Sequence, residues 1–266
     1  MSRMPVVIAT TAALLLALAS PTQAADPAAS AKASAEIRAT YDRMDALSRS
    51  VFWANEQQVD PNDPVAGVKL SQALREMGKY DQAAQAAEAT LTVQPNNLDA
   101  MLALGRAHIA RGQAFYGVAP LERARDAAPR DWRPLSLLGV AYQQVRRFDD
   151  ARAAWNQALT LSPNNPDVLS NAATAAMAEG DAAGAEALLR RAAAQPGATI
   201  QVRQNLAIAL GLQGKTGEAE AILRRDLPPE QAERNLAWLR NRANSTSAQA
   251  AATSPDAART WSSLGG

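Results

Sequence analysis

Apolar residues recur at spacings near 3.6 along most of this chain, in short blocks closed by glycine, arginine or proline. That is the period of amphipathic helices, not of strands. The clearest block is 132–165, WRPLSLLGVAYQQVRRFDDARAAWNQALTLSPNN, which predicts a helix, a tight turn at Arg146-Arg147, a second helix and a stop at Pro163. The stop recurs as Pro61-Asn62-Asp63, Pro95-Asn96-Asn97, Pro129-Arg130-Asp131 and Pro163-Asn164-Asn165, each 34 residues after the last. A helix pair of this size cannot bury its apolar face alone, so pairs repeated at this interval must stack on one another.

Five repeats are predicted, at 64–97, 98–131, 132–165, 166–198 and about 199–227, the positions of the last being counted from residue 200. At the eighth position stand Ser71, Gly105, Gly139, Ala173 and Ala207, where the two helices of a pair are expected to cross closely. At the twentieth stand Ala83, Gly117, Ala151, Ala185 and Ala219. A larger side chain at these places would force the helices apart, because packed interiors hold no spare volume. At the fifteenth stand Gly78, Gly112, Arg146, Gly180 and Gly214, where a helix commonly ends in the left-handed conformation. Repeat two departs from the rule: Pro120 falls inside its second helix, which is expected to start late or bend.

Before the array, 34–60 is expected to form one helix or half-repeat covering repeat one, with Ile37, Tyr41, Met44, Leu47, Val51 and Trp53 as its apolar face. After it, 229–242 is expected to be a capping helix whose Ala232, Leu236, Ala237 and Leu239 cover repeat five, and 243–266 a disordered tail. Residues 1–24 have the layout of an export signal: Arg3, an uncharged apolar run, Pro21, and small residues at Thr22 and Ala24. Cleavage is expected after Ala24, leaving a flexible lead-in at 25–33 and a periplasmic protein. An uncleaved signal acting as a membrane anchor is the other reading of this segment.

Composition narrows the chemistry. There is no cysteine, which excludes disulfides, thiolate catalysis, zinc–sulfur sites and a lipid on an N-terminal cysteine. The formal net charge of +1 gives no reason to expect nucleic acid or an anionic membrane as partner. The lone histidine, His108, falls on a packing position and has no spaced acidic or cysteine partner, so no metal is expected. No phosphate loop, nucleophile elbow or paired-carboxylate motif stands out, so neither a catalytic residue nor a cofactor is assigned and the chain is not expected to be an enzyme.

The period, the turn positions and the small residues resemble the tetratricopeptide repeat (TPR) family over 64–227. That implies an all-α solenoid, a right-handed superhelix of antiparallel helix pairs, whose first helices line a concave wall. Phase then assigns to the wall Val68, Gln72, Arg75, Leu102, Arg106, Ile109, Ser136, Val140, Gln143, Asn171, Thr174, Met177, Gln204 and Ile208. Such a mixed surface suits an extended peptide, with amides for its backbone and apolar groups for its side chains. TPR modules that grip chain-terminal carboxylates carry Lys and Asn at places held here by Val68 and Gln72, so that clamp is not expected.

A narrower resemblance lies in 202–240, VRQNLAIALGLQGKTGEAEAILRRDLPPEQAERNLAWLR. With the export segment and the repeat number, it is similar to the TadD-type TPR protein of tight-adherence (Flp, type IVb) pilus assembly. The resemblance implies a protein partner, a segment of a secretin or another pilus component. A general periplasmic adaptor for cell division, cell-wall or polymer-export machinery is the alternative.

Overall fold

The computed structural model describes residues 32–252, with side chains to residue 241, and among them are thirteen α-helices and no strand. Five antiparallel pairs form the array: α3 (Ala66–Glu76) with α4 (Tyr80–Val93), α5 (Leu98–Ala110) with α6 (Ala114–Ala127), α7 (Trp132–Gln144) with α8 (Phe148–Leu161), α9 (Pro166–Ala178) with α10 (Ala182–Ala193), and α11 (Ile200–Leu212) with α12 (Thr216–Asp226). Helices α1 (Ala35–Tyr41) and α2 (Ala46–Val59) precede them and α13 (Pro229–Ala252) follows.

Each stop triplet is also a start. Asn97 accepts a hydrogen bond from Ala100 N–H (2.9 Å), Asp131 from Arg133 N–H (2.8 Å), and Asn165 from Asp167 N–H (3.0 Å). These caps satisfy amides that the first turn of a helix leaves unpaired. Each pair then turns through one left-handed residue: Gly78, Gly112, Arg146, Gly180 or Gly214. The turn closes on the same long backbone bond throughout, as in Lys79 N–H to Leu74 O (2.9 Å) and Arg147 N–H to Tyr142 O (2.8 Å).

Stacking follows from where the small residues sit. Ser71, Ala173 and Ala207 are buried in their pairs, as are Gly105 and Gly139. The eighth position lies under the side chain at the twenty-fourth, not only the small one at the twentieth. A methyl on Gly105 would stand 2.5 Å from Leu121 Cδ2, and one on Gly139 would stand 2.7 Å from Trp155 Cδ2. Glycine here makes room for the largest side chains of the second helix.

First helices pack on first helices: α3 on α5, α5 on α7, α7 on α9, α9 on α11, and α11 on α13. Each second helix instead wedges between the first helix of its own pair and that of the next. This asymmetry crowds one layer and splays the other, which curves the stack with α3, α5, α7, α9 and α11 on the inside. The core runs in three linked clusters along α3–α5, α5–α9 and α9–α13. The packing of α8 on α9 is the loosest between pairs, because α9 presents Ala172, Ala175 and Ala176 there; a cleft of about 440 Å³ remains beside Trp155 and Leu188.

Four expectations are corrected. Helix α6 does not start late: it runs unbroken from Ala114, with Pro120 buried inside it. Residues 34–60 are two helices, not one, because Asp45 takes the Ser48 N–H (3.0 Å) and begins a new helix after a turn at 42–44. That break scatters the anticipated apolar face: Trp53 is buried, but Ile37, Met44, Leu47 and Val51 are exposed. At the other end Ala232, Leu236 and Leu239 cover α11 and α12, while Ala237 is exposed, and the helix continues past residue 242 to Ala252, into the stretch expected to be disordered. No glycine or proline interrupts 230–252, and a helix propagates through such a stretch once nucleated. The export segment at 1–24 and most of the lead-in lie outside the described residues, as does 253–266 of the tail. No described helix is long and apolar enough to cross a membrane.

In place of a continuous apolar face, α1 is held by the stacking of Tyr41 on Phe52 (ring centroids 4.0 Å apart) and by charge. Arg38 lies over the Trp53 ring at 5.1 Å and pairs with both Glu56 and Asp63 (2.5 Å to the latter), while Lys32 reaches Asp63 at 2.8 Å. Burial works to raise the Asp63 pKa, but hydrogen bonds from Arg38, Lys32 and the Val65 amide override it and hold the carboxyl at about 2.

Candidate binding groove

The wall is built by the exposed stripe of each first helix, one turn away from the residues that cross its partner. Gln72 of α3 and Thr174 of α9 are exposed there, and Val68, Arg75, Arg106, Ile109, Val140, Gln143, Met177, Gln204 and Ile208 are half-buried. Leu102 does not line it. That side chain is fully buried among Met101, Leu121 and Leu138, because α5 is flanked by α3 and α7 and its fifth position turns into the seam between them. Ser136 occupies the equivalent place in α7 and is buried too.

Two of the wall amides are committed to the fold. Asn171 Nδ2 donates to Ser136 Oγ (3.4 Å) and, one repeat on, Asn205 Nδ2 donates to Ser170 Oγ (3.3 Å). These bonds tie α7 to α9 and α9 to α11. Ser136, Ser170 and Asn205 thus join the inner layer as spacers; the signal for them in the sequence was the recurrence of Ser and Asn one repeat apart at 136/170 and 171/205.

One concavity gathers several of the predicted residues. Val68, Ser71, Gln72 and Arg75 of α3 face Ala103 and Arg106 of α5 across a pocket of about 290 Å³. Its electrostatics are one-sided. Burial, and then the positive charges of Arg75 and Arg133, depress the Arg106 pKa; Asp99 and Asp131 oppose the shift without cancelling it. Both of those acids are engaged elsewhere, by Arg133 at 3.0 Å and 2.6 Å.

His108 is buried beneath Tyr116 (ring centroids 5.8 Å apart), and burial with the Arg111 charge lowers its pKa, so it is a neutral packing group. Among the described residues no group of three or more His, Asp or Glu side chains is placed to hold a metal ion.

The architecture defines a class: a solenoid of helix pairs with a concave wall. The model of the tetratricopeptide repeat family matches residues 74–114 and 144–204. The fold also matches solved structures. These include TTC0263, a thermophilic TPR protein of Thermus thermophilus (22% identity, TM-score 0.57, covering 62% of this chain and 90% of that one). A TPR protein of Parabacteroides merdae aligns over 73% of this chain and 77% of its own at 11% identity and TM-score 0.62. MamA from Desulfovibrio magneticus aligns over 59% and 89% at 22% identity and TM-score 0.51. Among curated proteins, the CTR9 homolog of Arabidopsis thaliana is 26% identical over 124 residues, 46% of this chain but only 11% of the plant protein's length. Residues 74–114 and 144–204 thus match tetratricopeptide repeats, and the fold of the described residues is that of a TPR solenoid.

Proposed function

We propose that this protein is an exported, non-enzymatic adaptor in the assembly of Flp (tight-adherence) pili, and that it holds an extended segment of a secretin or another pilus component along the wall of α3, α5, α7, α9 and α11. The observation that carries the binding role is the wall itself, where half-buried apolar groups such as Val140, Ile109 and Met177 alternate with Gln72, Gln143 and Gln204. Such a surface offers an extended chain both hydrogen bonds and side-chain contacts. The pilus assignment is supported by the sequence of 202–240 and by the export pattern of 1–24.

Deletion of the gene tests the assignment: loss of Flp pili, restored by the wild-type gene but not by Val140→Glu, is the expected result. Intact piliation would sink it and direct attention to division, cell-wall or polymer-export machinery. Export is checked separately, by recovering a mature chain beginning at Ala25 from the periplasmic fraction.

A further inference from the structure

We propose that the pocket between α3 and α5 is a carboxylate-recognition site, in which Arg75 and Arg106 jointly receive one carboxylate of a peptide laid along the wall. The proposal rests on reading that wall as a peptide-binding surface, and it names the chemistry of the occupant.

A guanidinium stays charged in proteins and is stable in a partly desolvated place when acceptors surround it. Other half-buried arginines obey this. Arg49 pairs with Glu76, Arg111 with Asp81, Arg133 with Asp131 and Asp99, and Arg203 with Asp226. Three of the acids so engaged, Glu76, Asp99 and Asp131, are the ones whose charge reaches Arg75 or Arg106. Among the described residues the side chains of Arg75 and Arg106 make neither an ion pair nor a hydrogen bond. Two like charges are therefore held on one concavity without a directly paired carboxylate, Glu76 being taken by Arg49 and Asp99 and Asp131 by Arg133, and Arg106 is half-buried while they are.

A shared anion relieves both charges at once. The planar fork of each guanidinium fits a carboxylate through paired N–H donors, and bonds of that kind are about twice as strong as neutral ones. Val68 and Ala103 supply an apolar edge for the methylenes next to the carboxylate. At about 290 Å³ the pocket has the size for one side chain or a chain end. The Lys and Asn of the known carboxylate clamp are missing from their places at Val68 and Gln72; Arg75, on the next turn of α3, and Arg106, on α5, provide positive charge by a different route.

The carboxylate comes either from a Glu or Asp side chain or from a chain terminus, and small probes separate the two. Arginine Nε–H resonances of the full chain are followed by NMR. The probes are N-acetyl-glutamate α-amide (side-chain carboxylate only), N-acetyl-alanine (terminal carboxylate only), N-acetyl-glutamine amide (neither) and inorganic phosphate. Saturable shifts of Arg75 and Arg106 with one or both carboxylates, and none with the neutral compound, are expected. Arg106→Gln should weaken the response by about tenfold or more, equivalent to at least ~1.4 kcal/mol. Without ligand it should raise the Tm, since like-charge repulsion is removed; a lowered Tm would mark a structural residue and count against the site. The proposal is overturned if neither carboxylate saturates, if Arg130 and Arg133 respond equally, or if only phosphate binds. Saturation in a protein whose deletion leaves pili intact would preserve the pocket and discard the pilus role. Lost pili with no carboxylate response would do the reverse.

Discussion

Gly139→Ala adds one methyl group at the crossing of α7 and α8, and its cost follows from what that methyl meets. The new carbon would lie 2.7 Å from Trp155 Cδ2, against an optimal separation of roughly 3.5–4 Å between carbons. Trp155 is 3% exposed and its indole N–H donates to Ser136 O at 3.2 Å, so the ring cannot swing aside without losing that bond. Overpacking of this kind costs about 1–3 kcal/mol. Weakening the buried hydrogen bond adds about 1 kcal/mol. Alanine's better helix propensity returns about 1 kcal/mol. The net expectation is a loss of about 2 kcal/mol, read as a lower urea midpoint by circular dichroism. The same substitution in a Trp155→Ala background should be nearly neutral, because the side chain that the methyl meets is gone, and the two changes should therefore be non-additive. If Gly139→Ala stabilised the protein, or cost the same with Ala at 155, the packing argument would be wrong.

Gly217→Ala is the companion test: nothing lies within 4 Å of its added methyl in α12, so a gain of about 0.5 kcal/mol is expected, and a loss would show that space is not what decides. Arg146 is the one non-glycine residue with positive φ (64°) among the described residues; Arg146→Gly should raise stability by about 1 kcal/mol in urea unfolding, with no gain expected from the same exchange at Arg147. Asp63 has its folded pKa held at about 2, below the 3.8 of an unperturbed carboxyl, so its contribution is present above pH 3.8 and is lost as pH falls through 2. That contribution is about 2 kcal/mol, and the stability gap between wild type and Asp63→Asn should close between about pH 4 and 2; a gap that stayed constant would refute the role of the Arg38 cluster. The loose packing of α8 on α9 should let α9–α13 open as a unit, so hydrogen exchange should show its amides opening while α5–α7 remain protected; a single cooperative opening of all five pairs would count against this.

The wall shows where inference along a chain stops. Arg75 and Arg106 were both legible as wall residues from their phase, and each was unremarkable alone. That they share one pocket with no carboxylate paired to either follows from α3 lying on α5, from Glu76 turning to Arg49 and from Asp99 and Asp131 turning to Arg133, most of them contacts between residues far apart in sequence. Leu102 had the same phase as Val68, but its exposure depended on how closely α5 is flanked, so it went into the core. At 34–60 the helical period ran through Asp42 and Asp45, and a local cap won over a weak apolar stripe.

What the sequence determined by itself is everything set within a few residues: caps at Asn97, Asp131 and Asn165, left-handed turns at glycine or Arg146, and small residues where a pair must cross. These depend on backbone sterics and single hydrogen bonds, which act locally. The tertiary structure alone decided which side chains are left facing the wall, which charges find partners, and where the stack is loose. Those outcomes depend on the distance between neighbouring helices, and that distance is fixed only when every pair has found its neighbour.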